Sequence, residues 1–202
     1  MNDSDAAKMV EATKLAHRWH SGQRRKETDI PYISHLIQVE GLILEHGGEC
    51  DQAVAGLLHD SLEDAPSSEE RAVREGVIQE TFGSRVFGMV LSCTDTGPDE
   101  FLEKKREWKQ RKDRYIEQLS CASPQTHLVA ACDKLHNLDA IVSDMRSLGP
   151  KVFERFTATP TQTLWYYTTV INLLRPSLPQ RLAMELDDRL DTLHNAVTSM
   201  AD

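Results

Sequence analysis

The sequence has little that would build a sheet: no sustained alternation of apolar and polar residues, and no turn dipeptide of the Asn-Gly type between apolar runs. Its four cysteines, Cys50, Cys93, Cys121 and Cys132, are far apart and form no CxxC, which argues against a zinc knuckle or a redox pair and for reduced thiols of a cytosolic kind. No apolar run reaches the 18 residues of a membrane span, and the opening MNDSDAAKMV lacks the apolar centre of a secretory signal. A soluble, cytoplasmic protein is expected. Basic residues are the minority, 23 against 32 acidic, for a formal charge of −9. Such a chain disfavours nonspecific binding to nucleic acid or a membrane surface, and an anionic ligand would need a local basic patch. With 202 residues, 40% of them hydrophobic, there is material for one sizeable core and too little for two. A single domain over 1–202 is expected.

Helical spacing recurs along that length. Met9, Ala12, Ala16 and Trp19 share one stripe of a helix over Ser4–Ser21, and GQRRKETD reads as a loop. Pro31 opens a second helix that Gly47-Gly48 end near His46. A third passes through GLLHDSLED, and Pro66 closes it. Ser67 and Glu70 form a capping box for a fourth, which ends near Gly83, and a fifth runs from Ser84 to Cys93. After the loop TDTGPD, a charged helix spans Glu100–Leu119. Pro124 starts another, Thr159, Pro160 and Gln162 cap the next, and Pro179–Val197 is the last. The expected fold is all-α, a compact bundle of eight or nine helices.

The polar quartet in GLLHDSLED is the chemical anomaly. His59, Asp60, Glu63 and Asp64 crowd into an otherwise apolar helix in which His59 stacks on Glu63 and Asp60 on Asp64. Charge beside buried surface is costly unless it is paired or metal-bound. An adjacent His and Asp offer one nitrogen and one oxygen to a divalent cation, with carboxylates a turn later to handle a water. The plain alternative is a helix end carrying solvated charge. Two ligands do not hold a catalytic metal, so further donors must come from elsewhere. His35 lies early in the second helix beside Tyr32 and Ile33; Asp133 sits in the apolar run LVAACDKLHNLDAIV with Asn137 one turn on. Asp133 is either ion-paired or metal-bound. A surface or core role is the ordinary expectation for at least five of the eight histidines, which include His17, His20, His46, His127, His136 and His194.

Taken in order, HSGQRRK (His20–Lys26), PYISH (Pro31–His35), LLHDSLED (Leu57–Asp64), CDKLHN (Cys132–Asn137) and TLWYY (Thr163–Tyr167) resemble the HD-domain hydrolases of the RelA/SpoT homologue group, especially its small stand-alone members. The resemblance covers most of the chain. It implies an all-helical phosphohydrolase that binds one divalent metal ion, typically Mn²⁺, and cleaves the 3′-pyrophosphate of guanosine alarmones. Matched motif by motif, it implies His35, His59, Asp60 and Asp133 as metal ligands, and Glu63 and Asp64 as the carboxylates that position or deprotonate the attacking water. It also implies that Arg25, Lys26 and Asn137 meet the nucleotide, and His20 matches a recurrent position to which a structural role is given.

Asp139 departs from the resemblance, since a basic residue is common there, and a carboxylate facing the pocket would repel a polyphosphate. Leu36 stands where proline is usual, a change confined to the helix start. Within Lys104–Arg114 seven basic residues face two acidic ones, either a phosphate-gathering surface or a solvated face laced with i,i+4 pairs. Trp165, Tyr166 and Tyr167 are read as core rather than as a base-stacking platform. Two other functions share the sequence features: a phosphatase removing a 2′- or 3′-phosphate from another nucleotide or a nicotinamide cofactor, and a noncatalytic helical regulatory module.

Overall fold

Eight α-helices organise the residues that the computed structural model describes, 2–98, 100 and 106–200. They are α1 (Asp3–Trp19), α2 (Ile33–Glu45), α3 (Cys50–Leu58), α4 (Ser68–Cys93), α5 (Trp108–Ser120), α6 (Pro124–Leu148), α7 (Pro160–Leu174) and α8 (Gln180–Ser199). Short 3₁₀ turns at Gly149–Arg155 and Arg175–Ser177 flank α7. Among the described residues no strand forms, and the one β-type pairing is an isolated bridge between Arg24 and Pro31. The all-α expectation holds.

Two helices form the inner frame. In α3 every residue from Gln52 to Leu58 is buried, because α1, α2, α4 and α6 all pack around it. Helix α6 is buried continuously from Leu128 to Leu135 and touches α2, α3, α4, α7 and α8. Both lack an outward polar face along these stretches, as a helix enclosed on all sides must. Gly56 lets α2 and α3 close up: a Cβ there would lie 2.3 Å from Ile43 Cδ1. Leu57 and Leu58, both fully buried, each contribute about 1.5–3 kcal/mol through burial.

Local chemistry accounts for most helix ends. Thr159 and Gln162 form the expected capping box of α7, and Ser123 caps α6 ahead of Pro124. At α4 only half of the expected box forms. Ser67 Oγ accepts from Glu70 N at 3.2 Å, but the Glu70 carboxylate turns to Arg74 Nε, also at 3.2 Å. The two helices expected on either side of Gly83 are the arms of a bent α4. Gly83 sits at φ 84° and ψ 173°, a conformation that side chains exclude, so the helical ladder breaks there.

The charged helix is shorter than expected. Helical structure starts at Trp108, Glu100, Arg106 and Glu107 are non-helical, and Phe101–Lys105 lie outside the described residues. Glu100 spends its helix-forming potential on a turn instead: its carboxylate accepts from Gly97 N at 2.5 Å and pairs with Arg106 at 2.7 Å, while its own N–H returns to Gly97 O.

Candidate metal centre

The helix expected to run through Asp64 stops at Leu58, and His59–Asp64 form consecutive turns. His59 ends it by itself. Its Nδ1–H donates to Gly56 O at 2.7 Å, the carbonyl that Asp60 N would use in a continuing helix. Arg74 Nη1 then takes Ser61 O at 2.8 Å. The quartet is therefore arranged by consecutive turns rather than by one continuous helix, although Asp64 N still bonds Asp60 O at 3.0 Å across one of them.

These turns bring the side chains of His59 and Asp60 against His35 from α2 and Asp133 from α6. Nε2 of His59 lies 3.0 Å from an Asp60 oxygen and 3.4 Å from an Asp133 oxygen; Nε2 of His35 lies 3.6 and 3.3 Å from the same two atoms. Neighbouring donors around a cation with bonds of about 2.1 Å stand roughly 3.0–3.4 Å apart, so one small divalent ion fits between them. His35, His59 and Asp133 are all buried and form a group able to hold a metal. Nδ1 of His59 is committed to Gly56, while its buried Nε2 makes no well-aligned hydrogen bond despite two carboxylates nearby. That orphaned nitrogen is aimed at a point where positive charge is wanted.

The electrostatics agree. Burial opposes a positive charge on His59, yet Asp60 and Asp133 raise its imidazole well above the ordinary range. Burial likewise opposes ionisation of Asp133, but Lys134 and His59 hold it well below the usual carboxylate range; His59 and His35 do the same for Asp60. Surrounding groups hold the carboxylates in place. Lys134 Nζ lies 2.5 Å from Asp133 Oδ2, Asn137 Nδ2 donates to Asp133 Oδ1 at 2.6 Å, and Tyr32 OH donates to Asp60 Oδ2 at 2.5 Å. Asn137, expected to meet a nucleotide, thus also buttresses Asp133. His35 contacts His136, which Arg25 reaches too; Arg25 further donates to Asn137 Oδ1 at 3.0 Å.

Two cavities have residues of the surrounding network in their walls, though none of the four donors. One of about 440 Å³ is lined by Arg25, Lys26, His136, Asn137, Arg155 and Tyr167 among others. A second, of about 240 Å³, holds Lys26, Trp108, Arg111, Lys112, Tyr166 and Tyr167 in its wall. Lys26 and Tyr167 belong to both. Tyr166 and Tyr167 are largely buried, as read from the sequence, while Trp165 is half-buried beneath Lys109 Nζ, 4.0 Å above its ring.

Helix α5 supplies Arg111, whose Nη1 lies 3.8 Å from Glu63 and is held by Asp95. Its outward face carries the i,i+4 pair Lys109–Asp113, so the basic stretch is part site wall and part solvated surface; Lys104 and Lys105 lie outside the described residues. Asp64 accepts from Gln23 Nε2 at 2.8 Å. Asp139 does not act as its isolated charge suggested: it pairs with Arg189 of α8 and lines a depression between α2 and α6 that shares Gln38, His136 and Ala140 with the 440 Å³ cavity.

Several contributors carried no usable sequence signal. Asp95 lies in a segment legible only as a loop, and His136 looked like any other helical histidine. Tyr32 and Gln23 stood inside informative motifs, and their polar ends next to an aspartate-rich site were the available clue.

The pattern of the HD domain family matches residues 12–162, which include all four clustered donors. A human protein named guanosine-3′,5′-bis(diphosphate) 3′-pyrophosphohydrolase MESH1 is 36% identical over 138 residues, 67% of this chain and 70% of its own length. A GTP pyrophosphokinase of Streptomyces coelicolor is 32% identical over 127 residues, 63% of this chain but 14% of the larger protein. Among solved structures, one described as a metazoan orthologue of SpoT that hydrolyses ppGpp superposes with a TM-score of 0.68 at 26% identity, covering 91% of this chain and 93% of that one. Family pattern, sequence relatives and fold converge on the same conclusion: this chain belongs to the HD-domain family of metal-dependent phosphohydrolases.

Proposed function

We propose that this chain hydrolyses the 3′-pyrophosphate of a guanosine alarmone such as ppGpp, using one divalent cation, Mn²⁺, held by His35, His59, Asp60 and Asp133. The observation that carries this reading is the meeting of those four side chains, which Asn137 and His136 connect to a cavity of about 440 Å³ also lined by Arg25 and Lys26. The relatives named as ppGpp pyrophosphohydrolases support the substrate. The pairing of Asp139 with Arg189 balances the charge that argued against a polyphosphate.

A divalent cation at such a site supplies Lewis-acid polarisation of a phosphoryl oxygen and makes a water more acidic. The remaining work belongs to the chain. Glu63 and Asp64, both half-buried beside Asp60, orient a water and accept its proton. Arg25 is preoriented by His136 and Asn137, and with exposed Lys26 it meets the charge of the nucleotide phosphates. Largely buried Tyr167 forms an apolar wall that limits water beside the reacting group.

The active unit is one domain over 1–202, acting in the cytoplasm on a small molecule, with no nucleic-acid or membrane partner. The formal charge of −9 supports that, and no helix among the described residues is long and apolar enough to cross a membrane. The test is a Mn²⁺-supplemented panel of nucleotides bearing 3′-, 2′- and 5′-phosphates, with both phosphate products measured. Pyrophosphate release from ppGpp is expected, and Asp60→Ala should remove it by roughly 10³-fold while helicity is retained. Orthophosphate release from a 2′- or 3′-phosphate would replace the alarmone reading with a phosphatase. Absence of both turnover and Mn²⁺ binding would make the chain a regulatory module.

A further inference from the structure

His20 and Gln23 belong to the HSGQRRK motif, yet neither is used by the reaction as proposed. They do not stand idle. His20 is 3% exposed, and its Nδ1 lies 2.6 Å from Gln23 Oε1. Gln23 Nε2 lies 2.8 Å from Asp64 Oδ2. The His20 ring also stacks on Tyr32, with centroids 5.2 Å apart and planes at 22°, and Tyr32 OH bonds Asp60 Oδ2. The main chain ties the same residues together, Gln23 N donating to His20 O and Tyr32 N to Gln23 O.

The donor–acceptor order along this path has one solution. An ionised carboxylate only accepts, so the amide must present its NH₂ to Asp64. That leaves Oε1, an acceptor, facing His20, whose Nδ1 must then carry the ring proton. The other ring nitrogen of His20 is buried without a partner, so a second proton there would go unsatisfied. The path therefore holds the imidazole neutral and the amide in a single orientation.

Resting on the reading of Asp64 as a water-handling carboxylate, we propose that His20 and Gln23 form a positioning relay that fixes the orientation of the Asp64 carboxylate. Through the stacked Tyr32, the same histidine steadies Asp60. Asp64 retains 26% side-chain exposure, and the Gln23 amide holds one of its two oxygens. Neither relay residue touches the substrate; both act through Asp64.

Gln23→Met keeps the length and removes the amide, while His20→Phe keeps the stack on Tyr32 and removes the donor. With whichever nucleotide the wild type hydrolyses, each variant is expected to lose about 10–100-fold in kcat with KM within about twofold. Mn²⁺ affinity by calorimetry and Tm should stay close to wild type. The double variant should fall no further than the worse single one, because both interrupt one path. A crystal structure of Gln23→Met should show the Asp64 carboxylate rotated. Wild-type kcat in a folded Gln23→Met or His20→Phe, multiplicative losses in the double variant, or an unmoved Asp64 would each overturn the relay. A loss tracking Tm or Mn²⁺ affinity would reduce the pair to a structural role and overturn it equally. If the wild type cleaves no nucleotide, the proposed function fails, and the Asp64 orientation in the crystal still decides the relay.

Discussion

The imidazoles of His35 and His136 meet Nδ1 to Nδ1 at 2.8 Å, with a guanidinium nitrogen of Arg25 3.1 Å from the same atom of His136. Arginine only donates, so His136 Nδ1 is an acceptor, and the proton between the rings belongs to His35. The remaining nitrogen of His35 is thereby directed at the Asp60 and Asp133 carboxylates, the place from which it would ligate a cation.

Replacing His136 by Phe keeps the bulk and deletes the acceptor. Without it the His35 ring is free to turn or to change tautomer. Mn²⁺ affinity is expected to fall about 10–100-fold, as for other losses of a partner behind a ligand. Isothermal titration of the two proteins measures it, and equal affinities would refute the tautomer assignment.

His136 also sets a pH dependence of stability. Burial, then His35 and Arg25, lower its imidazole from the ordinary 6.5 to about 4. Between those values the unfolded chain binds a proton that the folded one refuses, so stability is full above 6.5 and declines as pH falls toward 4. Urea unfolding of chelator-treated protein across that window should show the decline, and His136→Phe should have the shallower slope. Parallel curves would contradict it.

Asp95 is the anchor of α5. Its carboxylate, 3% exposed, takes Arg111 Nη1 at 2.8 Å and Lys112 Nζ at 2.5 Å. Burial resists ionisation there, but the two cations hold the group well below the usual carboxylate range. Asp95→Asn leaves both cations facing a neutral amide and is expected to cost about 3–5 kcal/mol, the range for breaking a buried pair from one side. Chemical denaturation reads this directly, and a loss below about 1 kcal/mol would mean that solvent compensates.

What the sequence made legible follows the range of the forces involved. Thr159 and Gln162 announce the start of α7 because the bonds that cap a helix lie within four residues. His59, Asp60 and Asp133 stood out because polar residues inside apolar helical runs are costly and invite a reason, whereas His35 was singled out from the other histidines by the resemblance of PYISH to the family motif. The turn after Leu58 was hidden, since it depends on a side chain outcompeting the main chain for Gly56 O, and helical periodicity continues through it. Partners such as Arg189 for Asp139, or His136 for His35, join positions separated by 50 and 101 residues, and no local pattern selects them.

The clustered donors leave the chain at positions 35, 59, 60 and 133, from α2, the end of α3 and α6. A cation held among them is a crosslink between distant segments as well as a reagent. Its affinity adds to the cohesion of the two inner helices, by about 4 kcal/mol when its free concentration is a thousand times Kd. Loss of the ion would therefore loosen the scaffold that aligns Glu63 and Asp64, and supply of the metal would control how long the protein persists.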